Sequence, residues 1–188
     1  MRSIRKILGA LIAMTAIPVT AHAAVLGGSF FDERYDYRDF YMAANNKPFR
    51  VELSGNPYPS LQPSEVARRL LPVLQANKPP PNLTFTYDVP ADRPRAGHRL
   101  VLVFDPANDL TAGAVCNGAS RFKPTTTGRI YAFAVYCRDD LALSQVAGWA
   151  TSAAPDDAGM NSLMKDMFNV VFERSTYGVL QHGHGFAR

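Results

Sequence analysis

The sequence predicts an α+β domain: a mainly antiparallel sheet of five to six strands with two helices packed on one face, a two-layer sandwich. Three observations lead there. Short runs rich in Val, Phe, Tyr and Ile recur between Pro, Gly, Asp and Asn, the pattern of bounded strands. One stretch near the C-terminus keeps an unbroken helical period, and a second helical pattern follows residues 55–60. Each helix needs a partner for its apolar stripe, and a sheet face supplies one.

The chain begins MRSIRKILGALIAMTAIPVTAHA, with Arg2, Arg5 and Lys6 ahead of an apolar run from Ile7 to Val19 and small residues at Ala21 and Ala23. This is the composition of a secretory signal peptide over residues 1–23, cleaved after Ala23, because a bilayer span needs roughly 20 apolar residues. A periplasmic or secreted bacterial location follows. No cysteine stands at the cleavage point to carry a lipid, so no membrane insertion is expected after leader removal.

Residues 24–37 read as an N-terminal extension, since SFFDERYDYRDFY, from Ser29 to Tyr41, alternates aromatic and charged residues without an apolar block. A single domain should run from residue 38 to 172. Residues 37–43 and 49–53 flank Asn45-Asn46 and suggest a hairpin, because asparagine tolerates the positive φ of tight turns. Val66, Ala67, Leu70, Leu71 and Leu74 then recur at helical spacing, capped by Ser60 or Ser64. Pro72 inside that pattern predicts a kink or an early end.

Four strands should follow, over 83–89, 99–106, 129–137 and 143–152, the last two joined by a short turn at Asp139-Asp140. After Pro155-Asp156-Asp157, the residues Met160, Leu163, Met164, Met167, Phe168 and Val171 form one helical stripe, with the methionines as core filler. Residues 173–188 show no periodicity and read as a flexible tail.

The leader also carries the apparent basicity. Its removal takes three of the 20 Lys and Arg and none of the 16 Asp and Glu, leaving 17 against 16 in a mature chain of 165 residues, 188 less 23. A balanced surface of this kind has no electrostatic reason to seek nucleic acid. Cys116 and Cys137 are the only cysteines, and an oxidising compartment favours pairing them.

Each candidate site in the sequence has a simpler duty available to it. GNPYPS, residues 55–60, sits where a phosphate loop would, between an apolar run and a helical pattern. Pro57 and Pro59 each delete a backbone donor and no G-x-x-x-x-G-K follows, so Gly55, Asn56 and Pro57 read as a structural corner. Cys116 with His98 as its base is the nucleophile alternative, but GAVCNG lacks the Ser-His-Gly-Cys arrangement of exported transpeptidases and a second cysteine competes for the sulfur. The glycines around His182 and His184 fix neither ring as a metal ligand. Asp139-Asp140 suits a turn and Asp156-Asp157 a helix cap. Trp149, Tyr131 and Tyr136 offer an aromatic patch for sugar or peptide, against half-buried sheet duty. Neither a cofactor nor a metal is implied.

The leader, FRVELSGNP (49–57), VLVFDP (101–106), Cys116 and YCRDDLALS (136–144) together resemble a family of small, uncharacterised exported proteobacterial proteins. Beyond the leader the likeness runs roughly from Arg38 to Phe172; the glycine-rich end after Phe172 falls outside it, and the acidic aromatic segment before Arg38 matches poorly. It implies export and the extent of a single domain, and it brings no assigned activity with it. The functional expectation is therefore an envelope binding or interaction module, whose partner is another envelope protein, a peptide or a glycan. The alternatives are a small periplasmic hydrolase or transferase using Cys116 or an acidic pair, and a subunit of an exported assembly that adds an edge strand to a neighbour.

Overall fold

A computed structural model describes residues 23–91, 97–126 and 128–174. The expected leader up to His22 and the tail from Ser175, with His182 and His184, lie outside the described residues. The elements are β1 (Val25–Phe31), α1 (Tyr37–Ala44), β2 (Pro48–Ser54), α2 (Pro63–Ala76), β3 (Thr84–Thr86), β4 (His98–Phe104), α3 (Ala112–Cys116), β5 (Arg129–Arg138), β6 (Leu141–Thr151) and α4 (Ala158–Val171).

They build the α+β architecture that the sequence predicts: one open six-stranded sheet, ordered β1-β6-β5-β4-β2-β3, with helices packed on it. β2 runs parallel to both β3 and β4, and every other neighbouring pair is antiparallel. Strand alternation sorts the side chains between two faces. On one face Leu100, Leu102 and Phe104 of β4 and Ala132, Ala134 and Tyr136 of β5 meet the apolar stripes of α1, α2 and α4. The other face carries Val101, Val103, Phe133 and Val135 beneath the short helix α3.

α4 forms as the 3.6-residue period requires, and Met160, Met164 and Met167 are fully buried in the main core. Asp157 caps it, its carboxylate accepting from the Met160 N–H at 2.9 Å. The β5–β6 hairpin turns at Asp139-Asp140, with Asp139 at φ 55°.

The first expected hairpin is instead a helix followed by a strand. Asp36 accepts from the Arg38 N–H at 2.8 Å and starts α1, which buries Phe40, Ala43 and Ala44 at helical spacing. The Phe40 ring stacks on Phe172, with centroids 4.2 Å apart, and meets Phe49 and Tyr136 edge-on. Tertiary packing of one large ring overrides the aromatic alternation that suggested a strand. Asn46 does take a positive φ, 56°, but in the link from α1 to β2.

α2 continues through Pro72 to Ala76 instead of ending early. The proline is exposed, while Val73 and Leu74 beyond it are buried and hold the last turn. Neither Ser60 nor Ser64 caps this helix; Gln62 is the cap residue without a side-chain bond, and Pro63 takes the first helical position. The strand expected over 83–89 shortens to the three residues of β3.

Residues set apart as an extension also enter the sheet. β1 pairs antiparallel with β6 along one edge, and a bulge interrupts their register between Leu26 and Ser29. Tyr35 is buried, its hydroxyl donating to the Glu173 carbonyl at 2.8 Å. Exposed charges around these residues hide their apolar contacts from a composition-based view.

Candidate functional site on the open sheet face

Gly55 has φ +83°, and a Cβ there would stand 2.6 Å from the Phe104 carbonyl oxygen. Asn56 closes the turn by accepting from the Tyr58 N–H and donating to the Leu61 carbonyl, both at 2.9 Å. This segment joins β2 to the start of α2, which are its structural duties.

Cys116 and Cys137 are bonded to each other, tying α3 to β5. Such a bond is what an oxidising, extracytoplasmic compartment favours. It leaves no thiolate on Cys116. His98 lies on the helix-covered side, its Nδ1 2.7 Å from the Tyr136 hydroxyl, whereas Cys116 packs on the opposite face. Burial, with the nearby Arg138 charge, lowers the His98 pKa below its ordinary value. The two members of that expected pair therefore do not meet.

The acidic pairs have turn and cap positions. Asp156 forms an ion pair with Arg69, and Asp157 caps α4 while also accepting from the Ala153 N–H at 2.6 Å. Burial opposes ionisation of Asp157, but N–H bonds from Met160, Ala153 and Ala154 and the Ser152 hydroxyl outweigh it and hold its pKa below the usual range. Among the described residues no three His, Cys, Asp or Glu side chains gather as a metal site, and no helix is long and apolar enough to cross a membrane.

The aromatic patch divides. Tyr136 is completely buried in the main core. Tyr131 and Trp149 are directly paired across β5 and β6, half-exposed on the other face, with ring centroids 6.5 Å apart. The same alternation adds Phe133, Ala147 and Gln145 to that face, so the strands lay a shallow floor. The loop between β4 and β5 builds its wall. Asp105 makes the fold of that loop: its N–H donates to the Tyr131 carbonyl and its own carbonyl accepts from the Lys123 N–H, each at 2.9 Å.

A groove of about 340 Å³ results, lined by Lys123, Tyr131, Trp149, Asn108 and Gln145 over a floor that includes Ala147 and Gly27. Lys123 Nζ sits 4.0 Å above the Tyr131 ring centre, and the Arg129 guanidinium 4.4 Å above Trp149. Arg129 also reaches the Tyr131 hydroxyl at 3.4 Å. Neither cation forms a salt bridge among the described residues. No acidic side chain lines the groove.

A second hollow of about 340 Å³ lies on the same face around Phe30, Thr111, Asp140 and Gln145, the last shared with the first groove. Phe30 is 59% exposed there. Asp105 stands out for a different reason: it is 3% exposed at φ 47°, and neither carboxylate oxygen has a hydrogen-bond partner among the described residues. A buried acid in a left-handed conformation is costly, and such residues concentrate where function holds them.

Lys123, Arg129, Asn108, Gln145 and Gly27 escape sequence reasoning because their meeting depends on sheet register and loop path. The alternation of Tyr131 with Phe133, and of Gln145 with Trp149, was the available signal.

The fold and the groove define an α+β sheet domain with one helix-covered face and one partly open face fastened by a disulfide. No protein-family model, curated protein or solved structure matches the chain.

Proposed function

We propose that this protein is an exported, non-catalytic binding module of the bacterial envelope, and that its ligand surface is the open sheet face. The observation that carries this is the groove where Lys123 and Arg129 lie over Tyr131 and Trp149 without a carboxylate partner. Cations held over surface rings with no carboxylate to neutralise them keep their charge for a ligand, whereas a surface concerned only with solubility pairs or disperses its charges. The disulfide supports the exported location.

Amide chemical-shift mapping tests the surface. A panel of small saccharides and short peptides, titrated into the labelled protein, should move amides in residues 107–110, 123, 129–133 and 145–149 together. Shifts centred on His98 and Tyr136 instead would transfer the function to the covered side and end this proposal.

A further inference from the structure

The chemistry of the groove is specific enough to name its ligand class. We infer that it binds an acidic saccharide, one pyranose ring lying in the groove beside Trp149 and its carboxylate meeting Lys123 and Arg129; this rests on the open face being the binding surface.

Charge decides the sign. Lys123 is the cation that lines the groove, Arg129 lies over its lining residue Trp149, and no acid lines it, so an anionic group is attracted and a cationic one repelled. Neutral polar recognition falls to Asn108 and Gln145, which both line the groove. An amide can donate and accept, and so can a sugar hydroxyl. The volume of about 340 Å³ is at the lower end for a small-ligand site, which suits one or two sugar rings.

Gly27 gives the second argument. A Cβ at this position would make only ordinary contacts, 3.6 Å from the Ala147 carbonyl oxygen and 3.8 Å from the Ala147 Cβ. Its φ is not in the left-handed range, so neither packing nor backbone conformation demands glycine. A larger side chain there would stand beside Ala147 on the groove floor. Glycine keeps the groove open. Gly28, by comparison, faces open space and does not line it.

An extended peptide is the competing ligand, since β1 is an edge strand beside the groove. The bulge between Leu26 and Ser29 breaks the regular ladder at this point, and a bulged edge is a poor template for an added strand. The sugar needs no such ladder.

Trp149 is the only tryptophan in the chain, so its fluorescence reports on the groove directly. A glucuronic-acid oligosaccharide and N-acetylmuramic acid serve as acidic probes, chitobiose as a neutral sugar, citrate as a carboxylate without a sugar ring, and a hexapeptide as the strand probe. The acidic sugars should change the emission saturably and bind about tenfold more tightly than chitobiose, one charge-assisted contact being worth that factor. Citrate should not saturate. Gly27→Leu should abolish the signal while Gly28→Leu, with the same added bulk, binds as wild type; equal unfolding midpoints for all three proteins confirm that the groove alone is blocked. Lys123→Gln should weaken acidic sugars about tenfold and leave chitobiose unchanged. Equal binding of neutral and acidic sugars, or a peptide signal removed by Gly27→Leu, overturns the acidic-saccharide assignment and leaves the groove as a binding surface. If no probe gives a signal that Gly27→Leu removes, both assignments fall.

Discussion

The two faces of the sheet use the same strands for opposite purposes. Under α1, α2 and α4, Phe40, Phe49, Tyr136, Phe168 and Phe172 meet through ring contacts and are shielded from solvent. On the other side, the short α3 covers only part of the sheet, and Tyr131 and Trp149 meet two cations at a solvent-facing groove. Aromatic residues are therefore no guide to function by type. What separates the two sets is whether each ring is completed by apolar neighbours or by unpaired charge. The covered face supplies stability through area removed from water, while the open face leaves its rings and cations in contact with solvent.

The largest effect should come from the covered face. Phe40→Ala removes the ring that stacks on Phe172 and touches Phe49 and Tyr136. It should cost about 3–5 kcal/mol, as large-to-small changes of a buried phenylalanine do, and lower the urea midpoint accordingly. A loss below about 1 kcal/mol would mean that this core tolerates the cavity and that the contrast between faces is shallow.

The disulfide comes next and acts on the open face. It closes a loop with a sequence separation of 21, which in the chain-entropy model is worth about 3 kcal/mol. The loop it fastens also carries the groove wall, Pro106 to Leu110 before Cys116 and Lys123 after it. A Cys116→Ala, Cys137→Ala double variant should therefore lose stability and groove binding together, with the open-face loop losing more hydrogen-exchange protection than the helix-covered core. Equal loss of protection on both faces would show that the bond stabilises the molecule as one unit.

Much of the fold was visible in the sequence because periodicity is local. The α4 stripe, the runs of β4, β5 and β6, the tight turn at Asp139-Asp140 and the two cysteines all announce themselves within a few residues of chain. α1 was hidden because YRDFYMAA alternates like a strand until Phe40 finds its partners in β2, β5 and the end of α4. β1 was hidden because its glycines and exposed residues present no apolar block. The groove was half visible. Tyr131 and Trp149 could be nominated as sheet aromatics, but Tyr136 accompanied them until the register sent it to the other face. Lys123 reaches Tyr131 only because Asp105 turns the long loop back over the sheet, and nothing in its neighbouring sequence foretells that path.

The smallest expected effect is the most discriminating. In a Lys123→Gln, Arg129→Gln double variant, two cation–π contacts are lost, each worth about 0.5–1 kcal/mol at an exposed site. Neither cation has a salt-bridge partner whose charge would be left behind among the described residues, and Arg129 is exposed. Removing two adjacent positive charges also relieves their mutual repulsion, which offsets part of the loss. The unfolding free energy should consequently change by less than about 1 kcal/mol, well under the Phe40→Ala value. A change comparable to that of Phe40→Ala would mean that the cations hold the loop to the sheet, and that the open face, like the covered one, is built for stability.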